Sequence, residues 1–379
     1  MGSPTRDTDA ADRVTPVELF FDVVFVLTIT QLSQLLLDKP DGTGLTRVIL
    51  ILGLLWYLYS GYAWLTNHVP PRRPARKFLL FAGMTGFLLT AVAIPDAFTG
   101  SGLLFGLGYL IVVTVHLTLF SRSTARAGVR RLAPYNLGAA ALVIAAGLAT
   151  GPAVRALWAA AVFTQAVLPY LLPRHSWISA AASFHIRPAY FIERHGLLVI
   201  VALGESVVAI GIGVPHDNVP FATAAAVVLA LALPSTLWWT YFTDTRYAET
   251  VLHHADDATR TRLAARVYIV SHFLLLLGII ATATGLHAVV AHPDTSAGWP
   301  PALGLSGGVA LFLLAVADQR HALGEGHALS RLVTAVAVAA TAPVGAVVNA
   351  ALHLALVTAL MTVMLLVDGH RAVSPEART

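Results

Sequence analysis

Apolar positions in this chain fall in long blocks of roughly 20 residues, the length a helix needs to span the hydrocarbon of a bilayer. They show neither the strict alternation of a half-buried strand nor the one-sided stripe of a surface helix. The blocks run 17–37, 48–67, 78–97, 103–120, 132–150, 154–172, 197–214, 221–242, 267–290, 302–317, 332–347 and 350–367. Each is bounded by a short polar connection. The pattern predicts an all-α integral membrane protein of about twelve transmembrane helices. The division between the last two blocks rests on a few residues near Asn349, with Pro343 either opening a turn or kinking a helix.

Composition agrees with that pattern. Apolar residues make up 57% of the chain and charged residues 12%, where a soluble domain carries about a quarter charged. The absence of Cys removes disulfides, thiolate metal sites and cysteine nucleophiles. The first 16 residues are polar and include Asp7, Asp9 and Asp12, unlike the charged start and apolar run of a signal peptide.

The net charge of +4 does not indicate nucleic acid, because the basic residues sit in short loops between apolar blocks. With twelve spans, all of the 24 Lys and Arg residues except Lys39, Arg47 and Arg155 fall on one side. Basic residues are retained on the cytoplasmic side, so both termini are expected there. The expected environment is therefore a lipid bilayer, with the basic loops on its cytoplasmic side.

Trp56-Tyr57-Leu58-Tyr59 in the second block and Trp238-Trp239-Thr240-Tyr241 in the eighth are similar, as are the positions of Asp22 in the first and Glu205 in the seventh. The two spacings nearly coincide. They predict two parallel six-helix repeats related by an axis along the membrane normal. The expected organisation is a polar tail (1–16), a first half (17–175), a second half with an interfacial entry segment (176–370) and a C-terminal tail (371–379). Such a repeat brings Asp22 and Glu205 towards a common axis.

Those two acids carry the candidate chemistry. Glu18 and Asp22 are four residues apart on one helix face, with Pro16 placed for a first helical turn. Asp22 lies about 6 Å deeper than Glu18 at 1.5 Å per residue. An ionisable group at that depth must face the bundle interior and be paired, protonated or hydrated. Glu205 sits well past Glu193 in the same helical run, beside Ser206 and among small residues that permit close helix approach. Asp22 and Glu205 are therefore read as ion- or substrate-binding, with Glu18 and Ser206 beside them. Glu193, Arg194 and His195 are read as pairing residues or as the lining of a cytoplasmic mouth.

Trp238, Trp239, Tyr241 and Tyr59 could line a cavity or form an interfacial aromatic belt. The histidines at 68, 116, 272, 287 and 353 lack metal-ligand spacing and read as isolated polar residues. The run His253-His254-Ala255-Asp256-Asp257 reads as a solvated loop. No metal site and no cofactor is expected, and there is no phosphate-binding Gly-rich loop or nucleophile elbow.

Three stretches resemble the bacterial low temperature requirement protein A (LtrA) family. They are Val17-Glu18-Leu19-Phe20-Phe21-Asp22-Val23-Val24-Phe25-Val26; Glu193-Arg194-His195-Gly196-Leu197 with Leu203-Gly204-Glu205-Ser206; and Trp238-Trp239-Thr240-Tyr241-Phe242. The resemblance implies a multi-pass protein of the bacterial cytoplasmic (inner) membrane and brings no reaction with it.

The functional expectation is a transporter or channel that moves a proton, cation or small solute using its buried acids. The competing class is an intramembrane enzyme acting on a lipid or isoprenoid, with Arg187, Arg194 and His195 holding an anionic head group. A membrane scaffold for growth in the cold is the third. Expected partners are the bilayer, the transported species and a second copy of the chain in a homo-oligomer, with no nucleic acid.

Overall fold

A computed structural model describes residues 14–121, 126–172, 186–214, 220–243, 245–326 and 328–373. Arg6, Asp7, Asp9, Asp12, Arg13, Arg122, Arg174, Arg378 and the Phe184-His185 pair lie outside the described residues. Among the described residues every regular element is helical, and 11 helical spans are long and apolar enough to cross a membrane.

The helices are α1 Pro16–Asp38, α2 Gly42–His68, α3 Pro74–Ala93, α4 Gly102–Ser121, α5 Arg126–Leu148 and α6 Pro152–Val162. They continue as α7 Pro188–Gly213, α8 Phe221–Phe242, α9 Thr245–His254, α10 Asp257–Ala265, α11 His272–Ala291 and α12 Trp299–Leu323. The last three are α13 Ala328–Ala339, α14 Ala342–Val347 and α15 Ala350–Val373.

The block at 154–172 is helical without a break from Pro152 to Leu171, though not α-helical throughout. It is built from α6, a π-helical stretch Phe163–Val167 and a short turn Leu168–Leu171. Pro169 has no N–H to continue the i→i−4 ladder, and the wider π turn precedes it. Pro343 sits in the first turn of α14, where a missing N–H costs nothing. The His253–Asp257 run is a joint between helices: Asp256 caps α10 by accepting from Ala258 N at 3.1 Å and Thr259 N at 3.0 Å.

The chain divides into two compact units. The first comprises Met1–Leu35, Thr46–Leu198 and Ala248–Ile269. Within it α3 packs on α4, and α4 on α5. Gly86 and Gly108 set the first of these contacts: a Cβ at Gly86 would lie 2.8 Å from Gly108 O, so the two backbones touch. Small residues at a helix crossing allow such approach, and in lipid that packing is a principal source of helix association.

The second unit comprises Leu36–Leu45, Val199–Tyr247 and Val270–Thr379. Its central pair is α11 on α12, where a Cβ at Gly308 would come 2.7 Å from Gly278 O. Helix α12 ends at Gly324, whose φ of 74° is left-handed and lets Glu325 N reach back to Arg320 O at 2.9 Å. Arg331 of α13, 1% exposed, pairs with Asp368 of α15.

Candidate functional site

In the first unit the sequence Thr15-Pro16-Val17-Glu18 opens α1 with the Glu half of a capping box, the Glu18 side chain reaching back to Thr15. Glu18 Oε2 accepts from Thr15 N at 2.8 Å and from Thr15 Oγ1 at 2.6 Å. One turn further along, Asp22 occupies the same helix face. Across from them on α7, Tyr190 and Arg194 are likewise four residues apart. Two i,i+4 pairs therefore meet face to face.

Arg194 Nη2 donates to Asp22 Oδ1 at 2.9 Å, and its Nη1 lies 3.4 Å from Glu18 Oε1. Tyr190 donates its hydroxyl to Glu18 Oε1, and that hydroxyl is 2.8 Å from Thr66 Oγ1 of α2. Tyr59, also on α2, donates to Asp22 Oδ1 at 2.7 Å. The rings of Phe21 and Tyr59 each stand 5.8 Å from the guanidinium carbon of Arg194, close enough for a cation–π contribution. Phe25 packs on Tyr59 with ring centroids 4.4 Å apart and closes the deep side.

The cluster is shut off from solvent: Asp22 and Arg194 are 0% exposed and Glu18 is 1%. Its charges do not balance. Arg194 stays protonated in proteins, so two ionised carboxylates would leave one buried negative charge uncompensated. The hydrogen bonds are also uneven. Both oxygens of Glu18 are partnered, and Asp22 Oδ1 accepts twice. Asp22 Oδ2 has no hydrogen-bond partner among the described residues.

The remaining candidates are placed as follows. Glu193 is exposed and accepts from Val14 N at 3.2 Å. His195 is 0% exposed, with Nδ1 at 2.8 Å from Phe191 O and its ring against those of Phe191 and Tyr268. Arg187 donates to Asn67 O through Nε at 3.1 Å and Nη2 at 2.8 Å, and lies over the Tyr190 ring.

Glu205 and Ser206 belong to the second unit and are buried there, at 2% and 0% exposure. Trp238 and Trp239 point outward. Tyr241, their neighbour, bonds His272 Nε2 at 2.9 Å, and Gln319 Nε2 lies 3.3 Å from His272 Nδ1.

Sequence reasoning passed over three residues of the first-unit cluster. The capping box at Thr15–Glu18 was a readable signal. Tyr190 could have been found from its four-residue spacing to Arg194. Thr66 carried no signal, since nothing local marks which threonine of α2 meets a partner.

The model of the bacterial low temperature requirement A protein (LtrA) matches residues 13–366, nearly the whole chain. A protein of Rhizobium meliloti (strain 1021), named only as uncharacterized, is 28% identical over 319 residues, covering 81% of this chain and 77% of that one.

Proposed function

This chain belongs to the bacterial LtrA family of multi-pass membrane proteins, and we propose that it moves protons or small cations across the membrane through the Glu18–Asp22–Arg194 cluster. The observation that carries this reading is Asp22 Oδ2, a buried carboxylate oxygen with no donor among the described residues. Burying an ionised carboxylate without full pairing is expensive in a low dielectric. A proton on Oδ2, or a cation beside it, removes the excess charge. Release restores the imbalance, so the site is poised to load and unload one positive charge.

Arg194 holds the acid in place. Tyr59 fixes the carboxylate plane through Oδ1 and leaves Oδ2 as the exchanging atom. Glu18 is bound into the helix cap and to Tyr190, so it serves as the fixed counter-charge to Arg194. Glu205, the buried acid of the second unit, is assigned a second loading step with Ser206 beside it.

The test is flux across proteoliposomes holding the full chain, read with proton and monovalent-cation dyes. Wild type should carry a flux that Asp22→Asn abolishes, with Glu205→Gln reducing it and all three proteins equally well folded. No flux from well-folded wild type, or full flux from Asp22→Asn, would refute the proposal.

A further inference from the structure

A second group of polar side chains lies in the first unit, apart from the acid cluster. Ser60 of α2, His116 of α4 and Asn136 of α5 line a cavity of about 30 Å³, walled on its apolar sides by Trp64, Phe120 and Leu132. Exposure is 1% for Ser60, 7% for His116 and 2% for Asn136. Ser60 Oγ and His116 Nδ1 have no hydrogen-bond partner within the protein among the described residues. The network continues behind Asn136. Gln165, in the π-helical stretch that interrupts the sixth span, donates its amide to Asn136 Oδ1 at 3.4 Å. Gln165 and Tyr109, both at 0% exposure, stand beside each other behind the cavity wall.

Buried polar atoms are almost always hydrogen-bonded, so Ser60 Oγ and His116 Nδ1, both on the cavity wall, point to a guest that completes them. No Asp, Glu, Lys or Arg lines the cavity, which argues against an ion. The lining offers donors and acceptors in mixture: a hydroxyl, an imidazole and the carboxamide of Asn136. A cavity needs about 10–15 Å³ on this measure for one water, so the space takes roughly two.

We propose that this cavity is a built site for water, in which one or two molecules bridge Ser60, His116 and the Asn136–Gln165 pair. Buried waters typically make about three such bonds each, which matches the open valences. The geometry also accounts for the π turn: inserting one extra residue into the helical turn brings Gln165 round to Asn136, and such turns recur at functional sites. The site is separate from the Glu18–Asp22–Arg194 cluster and does not rest on its assignment. It places exchangeable protons next to a titratable imidazole inside the span region.

The experiment is radiolytic hydroxyl-radical labelling of the full chain in nanodiscs. Radicals generated from bound water modify the side chains that touch it. Trp64 and Phe120, each 2% exposed, are the reporters. Phe25, Phe87 and Trp158, at 0–1% exposure and not lining the cavity, are the controls. Labelling of Trp64 and Phe120 several-fold faster than the controls is expected, with His116→Leu reducing it in protein that still folds. Reporters labelled no faster than controls in wild type would show a dry cavity and overturn the proposal, whatever the variant does.

Discussion

Replacing Asp22 with Asn separates a resident structural counter-ion from a loading site. Asn keeps the shape of the side chain, and its carbonyl still accepts from Tyr59 and Arg194 in the place of Oδ1. If Asp22 rests in the charge-compensated state proposed above, the substitution leaves Arg194 balanced by Glu18, and the loss is that of adjusting neutral hydrogen bonds, within about 1 kcal/mol. If Asp22 instead is a permanently ionised partner of Arg194, its neutralisation breaks a buried ion pair, which costs about 3–5 kcal/mol. Arg194→Gln provides the scale, because it removes the guanidinium that pairs with two acids at 0–1% exposure and should cost at least that much. The assay is unfolding of the purified protein in one detergent, followed by tryptophan fluorescence, beside the flux measurement. The expected result is Asp22→Asn near wild type in stability but without flux, and Arg194→Gln strongly destabilised. Equal, large destabilisation of both variants would refute the reasoning, since Asp22 would then be a structural ion.

Tyr190→Phe removes the hydroxyl that ties Glu18 to Thr66; a loss of about 1–3 kcal/mol, the cost of unsatisfied buried groups, should appear in the same unfolding assay. Gly308→Val forces a side chain into the α11–α12 contact, where a Cβ already meets Gly278 O at 2.7 Å; about 1–3 kcal/mol of overpacking is expected, against little effect for Gly307→Ala, where a Cβ meets nothing within 4 Å. Asp256 is a pH-sensitive position outside the spans: backbone N–H bonds from Thr259 and Ala258 at the cap of α10 hold its carboxyl below the ordinary range. Its folded value is depressed, so its stabilisation is present above the ordinary carboxylate pKa and fades as pH falls through the lower folded value. Asp256→Asn should flatten that acid limb in a stability–pH profile, and an unchanged limb would count against the cap.

How much of this protein is legible in its sequence follows from what a bilayer demands. Every backbone polar group must be satisfied inside its own segment, so runs of about 20 apolar residues announce helices, and eleven of the twelve expected blocks stand as single spans. The twelfth, 154–172, is helical from Pro152 to Leu171 but passes through a π turn just ahead of Pro169. The four-residue spacing of Glu18 and Asp22 likewise needs no tertiary information, because it is a property of any helix.

What the sequence alone left open is which faces meet. A soluble helix marks its inward face by putting polar residues outward; here lipid surrounds the bundle, and outward positions such as Val92 and Val228 are as apolar as buried ones. With no contrast to read, the chain could not say that Arg194 stands opposite Asp22, 172 residues away, rather than at a surface mouth. Nor could it say that Tyr59 leaves its aromatic run to bind an acid, or that Ser60 and His116 share a cavity. Those pairings are fixed by close helix packing at small residues and by the demand that buried polar groups find partners, and both conditions exist only once the helices have assembled.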